Sequence, residues 1–344
     1  MKLLAIRFSA LGDVAMTVPV IDSLARQYPD LSITILSKGF VAPLFAHMPA
    51  NVQFKGVNLN DYKGLSGLYR LFKELKREQF DAIADIHDVL RTKILRLFFA
   101  LSGVKIAHID KGRKEKKALC QPKSKHMVLL KSSFQRYADV FQSLGFPVKV
   151  QFHSIFDGEK GNATLFDQLA KPVANERWIG FAPFATHKGK ILPIATTTEV
   201  INLLCEDKHN QLFLFGGGQE EIKQLNALAE GKSQVIVVAG KLKMTGELAL
   251  MSYLDVMISM DSANMHLASL VGIPVVSIWG ATHPYAGFMG WGQSENLAVQ
   301  TALSCRPCSI FGNKPCMRND YACLNDLTAQ EIVSKVKSLF LHET

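Results

Sequence analysis

Residues 254–280 read LDVMISMDSANMHLASLVGIPVVSIWG, and their pattern decides the fold class. Val256–Ser259 is a short apolar run of strand type. Met260, Asp261 and Ser262 break it, the last two being helix-capping residue types. Met265, Leu267, Ala268, Leu270 and Val271 then supply the apolar face of a short helix, which Gly272 and Pro274 stop. Pro274–Trp279 is a second buried strand. The order strand, turn, helix, turn, strand describes a βαβ unit, which sets a helix N-terminus at the carboxyl end of a parallel sheet. The free amide N–H groups and the helix dipole at such an end favour an anion. Asp261, Ser262, Asn264 and His266 decorate it, and Asp261 reads equally well as a plain helix cap.

Working outward, the same alternation covers most of the chain. Leu3–Phe8, Ser32–Leu36, Val52–Lys55, Ala82–Asp85 and Lys105–His108 read as strands. Helices are expected over Val14–Gln27, Leu65–Glu78, Thr92–Ser102 and His126–Leu144, with a short one after Gly39. Val148–Glu176 breaks the rhythm with Gly158, Gly161, Asn162 and Pro172. The pattern then restarts with strands at Ile179–Ala182, Leu212–Phe215 and Val235–Val238. Helices at Ile194–Cys205, Gln219–Ala229 and Glu247–Leu254 intervene, and a last helix spans Thr328–Leu341. Repeated βα units with short connections predict two Rossmann-like, doubly wound parallel-sheet domains. The expected boundaries are 1–160 and 175–326, with a final helix over 327–344 that packs back on the first domain. Ligands are expected in a cleft lined by the carboxyl-end loops of both domains.

Bulk properties narrow the function. The chain has 344 residues, 48% hydrophobic and 20% charged, as a well-cored globular protein of about two domains requires. No apolar run reaches the roughly 18–20 residues that span a bilayer. MKLLAIRFSALGD lacks the apolar core and cleavage site of a signal peptide, so a cytoplasmic location is expected. The net charge of +9 is uneven: residues 1–150 hold 24 Lys+Arg and 12 Asp+Glu, giving +12, and the remainder holds 15 and 18, giving −3. A basic first half suits an anionic partner. The densest run is KGRKEKK, Lys111–Lys117, continued by Lys123 and Lys125. Taken alone it reads as a solvated loop. It has no interleaved aromatics, which argues against a nucleic-acid-binding protein. Cys305, Cys308, Cys316 and Cys323 follow the spacing C-x2-C-x7-C-x6-C, which suggests a structural zinc knuckle in a reducing compartment.

Three βα turns carry chemistry. SALGD (9–13) is not the G-x-G-x-x-G fingerprint, and none occurs elsewhere, which argues against a nicotinamide or flavin enzyme. Gly12 permits a tight turn, and Asp13 then sits at the cleft mouth, where a carboxylate beside an acceptor hydroxyl acts as general base; its alternative is a cap. Thr186, Lys188 and Lys190 in the loop PFATHKGK suit a diphosphate, whose developing charge the lysines neutralise. FGGGQEE lets backbone approach a nucleotide at Gly217, with a carboxylate placed for ribose hydroxyls.

Together these stretches resemble glycosyltransferase family 9, the ADP-heptose–lipopolysaccharide heptosyltransferases of GT-B fold. The matching segments are SALGDVAMTVPVI (9–21), APFATHKGKILP (182–193), FLFGGGQEE (213–221), SMDSANMHLASLVGIPVVSIWGATHP (259–284) and the late cysteine cluster, in the family's order. The resemblance implies an inverting transfer of heptose from ADP-L-glycero-D-manno-heptose to the lipopolysaccharide inner core, with no metal required. It implies Asp13 as base. Thr186, Lys188, Lys190, Gly217, Glu220, Asp261, Ser262, His266 and Thr282 are implied around the donor. Lys111, Arg113, Lys114, Lys116 and Lys117 are expected to meet an anionic lipid A–Kdo acceptor at the inner membrane surface. Ser262-Ala263 stands where the family often has Thr-Gly, and Ile191-Leu192 where an aromatic is frequent. Both departures touch the donor pocket. A GT-B enzyme using another nucleotide-sugar is the alternative.

Overall fold

The computed structural model describes residues 1–122 and 125–341, so Lys123 lies outside the described residues. The chain divides into two compact units, Met1–Gly112 with Lys131–Ile155, and Arg113–Leu130 with Phe156–Thr344.

The first unit contains β1 (Lys2–Ile6), α1 (Leu11–Ala15), α2 (Val18–Gln27), β2 (Ser32–Lys38), β3 (Val52–Val57), α3 (Gly64–Lys76), β4 (Ala82–Asp85), α4 (Leu90–Ala100) and β5 (Lys105–His108). After α5 (Arg113–Leu119), which belongs to the second unit, α6 (Ser133–Ser143) completes it. The sheet order is β3-β2-β1-β4-β5, parallel throughout. Leu3, Leu4, Ala5 and Ile6 are all fully buried, which explains why β1 is apolar without alternation: helices cover both of its faces. The chain steps from β1 outward to β2 and β3, then returns to β4 on the other side of β1. The strand order therefore reverses between β1 and β4.

The helix expected over Val14–Gln27 is two. The Thr17 hydroxyl donates to the Val14 carbonyl at 2.7 Å and closes α1. Pro19, which has no N–H to give, sits in the first turn of α2, the position where a proline costs a helix least.

The second unit contains β6 (Arg177–Ala182), α7 (Ile194–Cys205), β7 (Asn210–Leu214), α8 (Gln219–Ala229), β8 (Val235–Val237), α9 (Met244–Met251), β9 (Val256–Met260), α10 (Ala263–Leu270), β10 (Val275–Ile278), β11 (Ala298–Val299), α11 (Ala322–Asn325) and α12 (Ala329–Phe340). Its sheet order is β11-β10-β9-β6-β7-β8, again parallel throughout. Here the reversal falls between β6 and β9. A Thr328–Glu331 capping box starts α12. The helix buries Ile332, Val333 and Val336 in the core of this second sheet, whereas the sequence alone suggests a helix that returns to the first domain. Its apolar stripe matches the gap beside α7 and β10 and is used up there.

Two further expectations change. The basic run was expected to be a loop, but Arg113–Leu119 is helical. Residues 126–132 were expected to begin a helix, but α6 starts only at Ser133, after Ser132 accepts from the Gln135 N–H at 3.1 Å. Burial decides both. Leu119 and Leu130 are anchored with Ala286 in one apolar cluster, and the Leu130 N–H donates to the Tyr285 carbonyl at 2.9 Å. Tertiary contacts override a charge pattern and a weak helical propensity.

Candidate active site

In the second unit the loop following β6 carries Lys188–Lys190, and the turn following β9 carries Asp261 and Ser262. These strands are neighbours whose chain continuations diverge, so their loops flank the crevice at a topological switch point, where open parallel sheets bind ligands. Lys190 Nζ stands 3.1 Å from Asp261 Oδ2, with the two side chains 16% and 6% exposed. The contact is an ion pair without an aligned hydrogen bond on Oδ2, so the carboxylate keeps accepting capacity. Asp261 is not a cap. The N-cap of α10 is Ser262, in extended conformation, and its side chain makes no capping bond; its Oγ faces Ser259 Oγ at 3.4 Å. His266 lies buried one turn into α10.

The lysine loop is clamped. Gly189 accepts from the Ala281 N–H at 2.8 Å, and a Cβ on Gly189 would fall 2.9 Å from both Ala281 Cβ and the Gly312 carbonyl. Gly312 has φ +73°, and a Cβ there would fall 2.5 Å from Lys190 Cγ. The stem of Lys190 therefore lies on a glycine that only a bare backbone can provide. Lys188 Nζ sits 5.0 Å from the centre of the Tyr321 ring. The late cysteine segment thus forms the wall against which both lysines rest.

Arg306, between the first two cysteines of that segment, fixes its position. It is 4% exposed. Its guanidinium donates to the carbonyls of Gly280 at 2.5 Å, Trp279 at 2.9 Å, Thr282 at 3.0 Å and Thr301 at 2.6 Å, and to Gln300 Oε1 at 3.0 Å. Burial lowers its pKa, but a guanidinium remains charged, so backbone dipoles hold a buried cation. The turn it staples carries Thr282, fully buried, whose hydroxyl has no hydrogen-bond partner among the described residues.

The remaining donor candidates sit on neighbouring loops. Thr186 is exposed after β6 and Gly217 is exposed after β7. Glu221 Oε2 accepts from the Gly217 N–H at 2.8 Å, so Glu221 shapes the glycine loop. Glu220 stays on the surface, accepting from Gln224 at 3.0 Å.

The zinc knuckle finds no support. Among the described residues no group of three or more His, Cys, Asp or Glu side chains is placed to hold a metal, and all six cysteines are free. Cys308 Sγ lies 3.8 Å from the Ala281 carbonyl, Cys316 Sγ lies 3.9 Å from Asp320 Oδ1, and Cys323 is buried in the second core. Burial pushes the Cys323 thiol up to about 11. Cys305 belongs to the same wall, beside Arg306.

In the first unit the equivalent crevice lies between β1 and β4. Asp13 follows β1 and pairs with Arg7, Nη2 to Oδ2 2.9 Å. The Ala10 N–H also donates to that oxygen at 3.2 Å, so Asp13 is both a cap and a carboxylate about one-third exposed. Arg7 is held by the Ile86 carbonyl at 2.5 Å and by the Tyr137 ring at 5.4 Å. His87, beyond β4, accepts from the Phe8 N–H through Nδ1 at 3.4 Å. Burial and the Arg7 charge push its pKa down to about 4, so the ring is neutral near pH 7. With Nδ1 accepting, the proton is on Nε2, which donates to Ser9 Oγ at 3.3 Å. Asp85 and Asp88 carry Arg96 at 3.3 and 3.1 Å.

A cavity of about 580 Å³ opens after β2 and β3, lined among others by Lys38, Phe40, Asn58, Asn60 and Arg91. The acceptor candidates do not line it. Lys111 Nζ donates to the Asp88 carbonyl at 3.2 Å, and Arg113, Lys114, Lys116 and Lys117 lie on α5 of the second unit, Lys116 Nζ standing 4.3 Å from the Phe288 ring. Arg7, Lys38, Arg91 and Arg306 escaped the sequence reading, and His87 stood out only as a residue at the end of a strand. The first three, like His87, stand at a strand end or helix start, a placement that strand prediction could have flagged.

Residues 68–315 match the profile of glycosyltransferase family 9 (heptosyltransferase). The chain is 25% identical over 279 residues to lipopolysaccharide heptosyltransferase 3 of Escherichia coli, covering 79% of this chain and 81% of the relative. It is 23% identical over 365 residues to lipopolysaccharide heptosyltransferase 1 of Pseudomonas aeruginosa, covering 99% and 98%. Its fold matches the solved ADP-heptose lipopolysaccharide heptosyltransferase II of E. coli with a TM-score of 0.73 at 19% identity, over 100% of this chain and 99% of the other. Two parallel α/β units with loops converging at their switch points, together with a profile match across more than half of the sequence, identify a GT-B glycosyltransferase: the chain belongs to family 9, the heptosyltransferases.

Proposed function

We propose that the chain transfers heptose from ADP-heptose to a sugar hydroxyl of the lipopolysaccharide inner core by a single inverting displacement. The observation that carries this reading is the Lys190–Asp261 pair across the switch point of the second sheet. Lys190 meets the diphosphate, with Lys188, Thr186, Thr282 and the uncapped amides of α10 beside it. Asp261 accepts hydroxyls of the donor sugar, and His266 lies behind it. Glu220 and the open backbone at Gly217 take the ribose. Asp13 accepts the proton of the acceptor hydroxyl as its oxygen attacks the anomeric carbon. The bond to the ADP oxygen breaks on the opposite face, and the negative charge that gathers on ADP falls on Lys190 and the helix end. The positive charge needed for this step comes from the protein's own residues, so the proposed reaction runs without a metal.

The acceptor is a lipid A–Kdo precursor. Lys38 and Arg91 in the first-unit cavity suit its carboxylates and phosphates, with Asn58 and Asn60 as neutral partners. A lipid-anchored acceptor places the working enzyme on the cytoplasmic side of the inner membrane, without a crossing helix: among the described residues no helix is long and apolar enough to span one.

The test is incubation with ADP-heptose and deacylated lipid A–Kdo, read by mass spectrometry. Gain of one heptosyl unit is expected. Transfer from a UDP- or GDP-sugar in place of ADP-heptose would assign the alternative donor. Binding to oligonucleotides with no transfer from any donor would defeat the reading altogether.

A further inference from the structure

Helices α3 and α4 lie side by side on the first sheet. Their inner faces are committed to the core: Leu68, Leu71, Phe72 and Leu75 from α3, and Leu95 and Phe99 from α4, are buried together. A surface helix satisfied in this way carries polar residues on its opposite face. These two do not. On α4, Leu90, Leu97 and Leu101 just beyond its end follow at helical spacing and are 75%, 57% and 81% exposed. On α3, Leu65 and Tyr69, one turn apart, are 66% and 46% exposed. The Tyr69 ring stands 5.5 Å from Phe98 and 6.0 Å from Phe72, so the two outer faces join into one apolar strip.

Charge decides what covers the strip. The two helices hold six cations and a single carboxylate, Glu74; Arg96 and Lys93 are paired with Asp85 and Asp88 at the strand end, which leaves Arg70, Lys73, Lys76 and Arg91. Glu74 accepts from the Tyr62 hydroxyl at 2.6 Å. Lys73 Nζ lies 4.9 Å from the Tyr69 ring and Lys76 Nζ 5.7 Å from the Phe72 ring, so the cations border the apolar strip. A second copy of the chain would bring like charges together. A nucleic acid would neutralise the lysines and leave the leucines in water. An anionic bilayer satisfies both: leucine and tyrosine side chains enter the headgroup–acyl boundary while lysine and arginine heads meet lipid phosphates.

We propose that the outer face of α3 and α4 is the surface by which this protein docks on an anionic lipid bilayer, lying flat along both helices. The inference rests on the lipid-anchored acceptor of the proposed function and names the surface that brings the enzyme to it.

The experiment is co-sedimentation of the full chain with vesicles of phosphatidylglycerol and phosphatidylethanolamine, and with vesicles of phosphatidylcholine alone. The wild-type chain is expected to sediment with the first and not the second, and to be released by salt. Leu97→Asp with Leu101→Asp should abolish binding. Lys73→Gln with Lys76→Gln should weaken it about 25-fold, roughly fivefold per cation; both positions are exposed, so this second pair keeps the test valid if the aspartate pair fails to fold. Equal sedimentation with both vesicle types, or binding unchanged in the lysine pair, overturns the proposal. So does a concentration-dependent dimer by light scattering that Leu97→Asp dissolves, with no vesicle binding. No donor or acceptor is present, so a chain that sediments but transfers nothing fails the transferase reading alone. One that glycosylates a deacylated acceptor but ignores vesicles fails this inference alone.

Discussion

Lys190 and Asp261 face each other at 3.1 Å from the ends of two adjacent strands, β6 and β9, at the point where the second sheet reverses its order. Each is the other's charge partner in a nearly buried place, and breaking such a pair leaves an uncompensated charge behind. Lys190→Met is expected to destabilise the second unit by roughly 3 kcal/mol and Asp261→Asn by a similar amount. The double variant should cost clearly less than the sum. Urea denaturation of the four proteins gives the coupling. Simple additivity would mean that the contact contributes nothing. The two variants that lack Lys190 should lose most of their affinity for ADP, whereas Asp261→Asn should keep it and lose affinity for the intact ADP-heptose.

Arg7 and Asp13 form the corresponding contact in the first unit at 2.9 Å, but there the carboxylate is one-third exposed and available to a substrate. Asp13→Asn keeps the shape and removes the basicity. Transfer should fall by ~10²–10⁴-fold, the usual contribution of a positioned general base, while ADP affinity by calorimetry stays within about twofold, since Asp13 belongs to the other unit. Near-normal turnover would remove Asp13 as base.

Much of this was legible in the sequence. Strands buried on both faces are written as unbroken apolar runs, and each donor-site candidate follows one of them. The opening unit is an example: its helix, expected from Met265, begins at Ala263, and its strands fall within a residue or two of their expected ends. That Lys190 meets Asp261 was not legible, because the contact depends on β9 lying beside β6. Asp261 read as a cap and a donor ligand together, whereas Ser262 takes the cap position and leaves the aspartate to the lysine. The cysteines misled because spacing alone says nothing about where thiols point. Arg306 gave no signal at all: its partners are mostly backbone carbonyls, which every residue has. The like-charged α5 read as solvated because the leucines that bury its strap lie outside the charge run.

Arg306 is expected to act on the donor site without touching the donor. Arg306→Ala leaves several buried carbonyls unpaired, at about 1–3 kcal/mol each, so a loss of at least ~3 kcal/mol is expected. Arg306→Lys supplies three donors from a single point, too few for carbonyls spread over Trp279 to Thr301, and should recover only part of it. At a temperature where the lysine variant is fully folded, its KM for the donor should rise more than its kcat falls, because the turn bearing Thr282 and the clamp on Gly189 loosen. Unchanged donor KM in a destabilised variant would confine Arg306 to stability.

His87 makes the first unit sensitive to acid. Its pKa is about 4 in the folded chain against an ordinary 6.5, because burial and the Arg7 guanidinium oppose a second charge. The unfolded chain therefore takes up a proton between pH 6.5 and 4 that the folded chain refuses. Stability from this group is complete above pH 6.5 and declines as the pH falls through that window, by at most about 3 kcal/mol. His87→Gln can still donate an amide N–H to Ser9 and carries no titratable group. Its stability at pH 7 should lie near or somewhat below that of the wild type, and the wild type's excess should shrink or reverse by pH 4.5. Guanidinium denaturation at the two pH values checks this. Parallel losses in both proteins would place the acid sensitivity elsewhere.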